Sequence, residues 1–103
     1  MIEKIKSGDV DNLFRAFLSI ENVEEFYKFF DDICTVPEVA EMSKRLRAAK
    51  MLKNGSVYSE ISEITGLSTA TISRVNKCLK YGSGGYGLVL DRLEKEEEKK
   101  ENG

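Results

Sequence analysis

Apolar positions recur along this chain at intervals of three and four, in blocks separated by caps and glycines. The first block, Asp9 to Ile20, sets Val10, Leu13, Phe14, Phe17 and Leu18 at helical spacing. Asn22, with Glu25 three residues on, reads as the cap of a second helix carrying Val23, Phe26, Tyr27, Phe29, Phe30 and Ile33. That apolar surface is too wide for a helix lying on a small monomer, and its rings call for burial on more than one side. A third helix opens at Thr35-Val36-Pro37-Glu38. Threonine can cap it, glutamate can return the bond, and proline in the first turn gives up no needed N–H. It runs to about Lys53, where Asn54-Gly55 ends it. Val39, Met42, Leu46 and Ala49 form one stripe, and Ala40, Ala48 and Met51 form an opposite one. Apolar stripes on opposite sides predict a central helix with neighbours on both. Lys44, Arg45, Arg47 and Lys50 lie between them.

The stretch SEISEITGLSTATISRVNKCLK, residues 59–80, predicts two short helices in a tight hairpin. The first spans about 58–65 with Ile61 and Ile64 inward. Gly66 supplies the positive φ of the turn, Leu67 plugs the corner, and Ser68 caps the second helix. Ile72, Val75 and Leu79 form the buried side of that helix, and Ser62 is the small residue where the two helices cross. The outer side holds Ser68, Thr69, Ala70, Thr71, Ser73, Arg74 and Lys77, and no acidic residue occurs from Thr65 to Tyr81. Small side chains allow close approach to a major groove, hydroxyls and methyls meet base edges, and Arg or Lys meets guanine or phosphate. An ordinary solvated face is the competing reading, but such a face more often carries Glu beside Lys. Beyond it, GSGGYG at 82–87 predicts a flexible connector. Tyr86, Val89, Leu90 and Leu93 have helical spacing, and EKEEEKKENG at 94–103 reads as a charged, disordered tail with nothing to bury. The whole is an all-α chain of about six helices, expected to form a single domain over 1–103.

Charge sharpens this picture. The net charge of −2 alone argues against nucleic acid, yet residues 1–35 carry −4, residues 36–81 carry +4, and residues 82–103 carry −2. The basic segment is the one that holds the hairpin.

Residues 43–80, SKRLRAAKMLKNGSVYSEISEITGLSTATISRVNKCLK, resemble the Trp repressor-like family. The shared pattern is a basic helix ending in Asn-Gly, a helix-turn-helix, then TATISR and LK. The aromatic N-terminal helices and the glycine-rich loop are most similar to its YerC/YecD branch. The resemblance implies an intertwined homodimer in which the N- and C-terminal helices of both chains build a shared core, with two recognition helices reading a near-palindromic operator. It places base reading on Thr69, Ala70 and Ser73, and the make-up of the outer face adds Arg74. Its phosphate contacts fall on Arg45, Thr71, Lys77 and Lys80, and Ser68 at the helix start joins them as an expected phosphate contact. Arg45 and Arg74 also match the two arginines that frame the corepressor, but Val75 stands where the family has glycine and Cys78 where it has serine. Tryptophan is therefore not the expected effector. A different small molecule between Arg45, Arg74, Val75 and Cys78, or phosphate contact by the two arginines, takes its place.

The competing function is a protein-interaction module that docks the basic hairpin face on an acidic partner. Enzyme chemistry has little to stand on. There is no histidine, the glycine-rich stretch lacks a lysine-bearing phosphate motif, and Cys34 and Cys78 have no evident base and read as core thiols. Glu24-Glu25 and Asp31-Asp32 read as a solvated face. Two isolated cysteines and the lack of a long apolar run or signal peptide predict a reduced, cytoplasmic setting with no cofactor, metal or membrane.

Overall fold

The computed structural model describes residues 2–102. Among them lie seven helices: α1 (Ile2–Ile5), α2 (Gly8–Ser19), α3 (Val23–Ile33), α4 (Val36–Lys53), α5 (Tyr58–Thr65), α6 (Thr69–Tyr81) and α7 (Gly85–Asn102). The four-residue α1 is the one beyond the six expected. The chain divides into two compact units, the first ending at Glu41 and the second beginning at Met42.

In the first unit, side-chain caps start the helices. Ser7 accepts a hydrogen bond from the Val10 N–H at 3.1 Å, and Asn22 accepts one from the Glu25 N–H at 2.9 Å. The Glu25 carboxylate reaches back to the Glu21 N–H rather than to that of Asn22. Thr35 and Glu38 close the expected reciprocal box at the start of α4, at 2.8 and 3.3 Å. The bond from the Thr35 backbone N–H, followed by that from its hydroxyl side, holds the Glu38 carboxyl below its usual range. All five phenylalanines gather here. Phe17 is the hub, with Phe26, Phe29 and Phe30 at centroid distances of 5.4 to 6.2 Å. Even so, no residue of α2 or α3 is fully buried, and Leu18, Val23 and Tyr27 are mostly exposed.

The second unit owns the buried core: Ala48, Ala49, Ile61, Leu67, Ile72, Val75 and Leu90. Ala48 and Ala49 have no accessible surface, so α4 meets its neighbours through its two smallest side chains. Met42 and Leu46 of the predicted stripe stay exposed instead. The end of α4 is a Schellman turn, with Gly55 at φ +87°, its N–H bonded to the Leu52 carbonyl, and the Ser56 N–H bonded to that of Met51.

Two expectations are corrected, one for the connector and one for the cysteines. The connector is confined to residues 82–84, because α7 begins at Gly85 and takes in Tyr86 and Gly87. The stretch expected as a charged tail continues α7 to Asn102, and residue 103 lies outside the described residues. Residues 95–102 hold no apolar side chain, but Glu96 precedes Lys100 by one turn, and Lys99 and Lys100 sit at the negative end of the helix dipole. Finally, Cys78 is exposed and Cys34 half-buried, so neither is a core thiol, and both are free.

Candidate nucleic-acid interface

The turn between α5 and α6 is fastened by its own side chains. Gly66 adopts φ +77°, ψ 2°, and its N–H reaches the Ser62 carbonyl at 2.8 Å. The Ser62 hydroxyl donates to the Leu67 carbonyl at 2.7 Å. The buried Thr65 hydroxyl donates to the Ile61 carbonyl at 2.7 Å and accepts from the Leu67 N–H at 3.2 Å. Leu67, 5% exposed, plugs the corner with both backbone polar groups satisfied. The expected inward Ile64 is 46% exposed, and Thr65 takes the inner place because its hydroxyl is needed by the turn. A β-carbon at residue 66 would meet nothing within 4 Å, so Gly66→Ala tests the backbone alone. It is expected to cost about 1–2 kcal/mol in a urea melt, the penalty for an L-residue in this region.

The second helix starts on Ser68, whose hydroxyl oxygen accepts from the Thr71 N–H at 3.1 Å and lies 3.0 Å from the Thr71 hydroxyl. Ser68 and Thr71, two of the five residues expected to contact phosphate, thus form the cap. Ile72 and Val75 face the core, with Leu79 half-buried. Asn76, which sequence reasoning passed over, donates to the Tyr58 hydroxyl at 3.0 Å and ties α6 to α5. On the other side, Thr69, Ala70, Ser73, Arg74, Lys77 and Lys80 are all exposed, one continuous face of α6 without a carboxylate. No acidic residue occupies its first turn, so the positive end of the helix is open to an anion.

Arg45 reaches this helix from α4. With Thr71, Arg74, Val75, Cys78 and Tyr86 it lines a cavity of about 120 Å³. The residues matched to the family's effector site therefore do converge, and the structure adds Tyr86. That tyrosine was concealed in the supposed connector, although its spacing to Val89 and Leu90 was helical. Burial raises its phenol pKa, Arg45 pulls the other way, and Cys78 adds to the rise. Among the described residues no group of His, Cys, Asp or Glu is placed to hold a metal, and no helix is long and apolar enough to cross a membrane.

Comparison with known proteins agrees over nearly the whole chain. The family model described as Trp repressor protein matches residues 8–94. YerC of Bacillus subtilis (strain 168), an uncharacterized protein, is 46% identical over 96 residues, covering 93% of this chain and 92% of its own. A candidate Trp repressor from Staphylococcus aureus is 49% identical with a TM-score of 0.87, the match covering 91% of this chain and 94% of that one. A TrpR-like protein from Eubacterium eligens is 48% identical with a TM-score of 0.85, over 88% and 94% of the two chains.

Proposed function

The chain belongs to the Trp repressor family, and from that premise we propose that it is a cytoplasmic, sequence-specific DNA-binding regulator of transcription, acting as a homodimer. The carboxylate-free outer face of α6 carries this reading. Thr69, Ala70, Ser73 and Arg74 would read base edges, and Arg45, Ser68, Thr71, Lys77 and Lys80 would meet phosphates. Ser68 donates its hydroxyl proton to Thr71 Oγ1 within the cap, so of the two it is the Thr71 hydroxyl that keeps a proton for a phosphate.

The homodimer is supported by the first unit. Its aromatic cluster leaves Phe14, Leu18, Val23, Phe26, Tyr27 and Ile33 at least 37% exposed, more apolar surface than two short helices normally leave to water. A second copy covering those faces would take them out of water.

Tryptophan is not the effector this reading expects. Val75, only 4% exposed, and Cys78 stand in the wall of the cavity, whose volume of about 120 Å³ is well short of the ~300 Å³ at which sites for drug-sized ligands begin. Two guanidinium groups, a hydroxyl and a phenol suit a small anion instead.

Selection from a random duplex library at near-physiological salt tests the proposal. An enriched inverted repeat with half-sites about one helical turn apart is the expected result. No enrichment, with no retention of mixed genomic fragments at low salt, would favour the docking of α6 on an acidic protein.

A further inference from the structure

The last turn of α4 is held by the acidic end of the chain. Lys53 Nζ lies 2.6 Å from Asp91 Oδ1 and 3.2 Å from Glu94 Oε1, and Lys50 Nζ lies 3.6 Å from Glu97 Oε1. These pairs join α4 to α7 along two turns. Beyond Leu93 the helix has no apolar residue to bury, so among the described contacts that join residues 94–102 to α4 these are charge pairs. The same two lysines end the helix that leads, through Asn54-Gly55, straight into α5. In helix-turn-helix docking the first helix crosses the phosphate backbone, which puts the segment feeding it beside the phosphates.

We propose that the acidic stretch of α7 is an intramolecular competitor of DNA for Lys50 and Lys53. The proposal rests on the DNA-binding reading. Its physical basis is that both partners of the lysines are anions and only one can hold them at a time. The carboxylates of Asp91, Glu94 and Glu97 are 61%, 43% and 64% exposed, and solvated ion pairs of this kind are weak and easily screened. A row of phosphates can therefore displace them, whereas single stray anions in solution cannot hold both lysines. The device lowers affinity for any duplex, because every complex must first break the pairs. It leaves the ratio of operator to random sequence unchanged, because Lys50 and Lys53 meet phosphate and not bases. In counterion terms, a lysine already neutralised by a carboxylate releases no phosphate-bound cation until it is freed.

The test uses the full chain in three forms: the native protein, Asp91→Asn/Glu94→Gln/Glu97→Gln, and the control Glu96→Gln/Glu98→Gln/Glu101→Gln. The control makes the same change in net charge at residues that are not partners of Lys50 or Lys53. Binding to a random-sequence duplex is followed by anisotropy across a salt series. The first variant is expected to bind about tenfold more tightly than the native chain, with a log–log salt slope steeper by up to ~2, one phosphate for each freed lysine. The control is expected to gain less than threefold, with an unchanged slope. Equal gains in the two variants would overturn the proposal, since net charge would then explain both. So would no gain in either. Should the triple variant melt before binding can be read, Glu97→Gln alone frees Lys50, and a slope steeper by up to ~1 is expected. If the native chain and every variant fail to bind duplex at low salt, the DNA-binding reading itself has failed, an outcome separate from equal binding by all three.

Discussion

Replacing Ile72 with alanine is expected to lower unfolding free energy by about 2–5 kcal/mol, the range for large-to-small changes at fully buried sites. Ile72 has no accessible surface and sits on the inner side of α6 in a cluster of only seven buried apolar residues. Two of the seven are Ala48 and Ala49, whose backbone approach to the core leaves little slack to close a new cavity. The loss falls on the helix that carries the outer, exposed face, so binding should weaken with stability. Equilibrium urea denaturation measures it. A change below about 1 kcal/mol would mean that the site collapses around the missing atoms, contrary to the close packing seen for Ala48 and Ile61.

Removing the Arg74 side chain is expected to weaken binding to a selected operator by roughly 10- to 100-fold, or about 1–3 kcal/mol, the value of a guanidinium reading a base edge. Arg74 is exposed on α6 beside Ser73 and also borders the cavity that holds Arg45. Its two possible roles separate cleanly. If it reads a base, Arg74→Ala relaxes sequence preference at one position and leaves random-duplex affinity nearly intact. If it serves only phosphate, operator and random sequence weaken together and the salt slope falls by about one, which is the pattern expected for Lys77→Ala. Titrating both variants against both duplexes decides between the roles, and an unchanged operator affinity removes Arg74 from the interface.

Local features of this chain were legible because a few neighbouring residues decide them. The Thr35–Glu38 box, the Ser68 cap, the stop at Asn54-Gly55 and the left-handed Gly66 all follow from chemistry within four residues. The inner face of α6 was equally plain, since Ile72 and Val75 are its branched apolar residues. The failures share a different cause. Ile64 was set inward by periodicity, but the turn's hydrogen bonds recruit Thr65, and a hydroxyl that satisfies Ile61 and Leu67 outweighs one aliphatic side chain. Tyr86 falls in both the 82–87 connector and the helical spacing with Val89 and Leu90, and the helix has it because Gly84, at φ +85°, makes the bend and the helix starts one residue later. The pairing of Glu94 and Glu97 with Lys53 and Lys50 was not legible either, because the partners lie some forty residues apart in sequence. Long-range charge pairing leaves no periodic trace.

Tyr86 gives the cavity an optical character. The chain has four tyrosines and no tryptophan, so its absorbance at wavelengths beyond the phenylalanine band belongs to phenols. One of those phenols stands in the cavity wall, with its ionisation held above the ordinary range by burial and opposed by Arg45. An anion that settles against Arg45 weakens that opposing pull, so it shifts the late, alkaline part of a tyrosinate absorbance titration to still higher pH. An indole ligand would bring the only long-wavelength fluorescence in the sample. Occupancy of this cavity can therefore be followed by light, on the native chain, with no label attached.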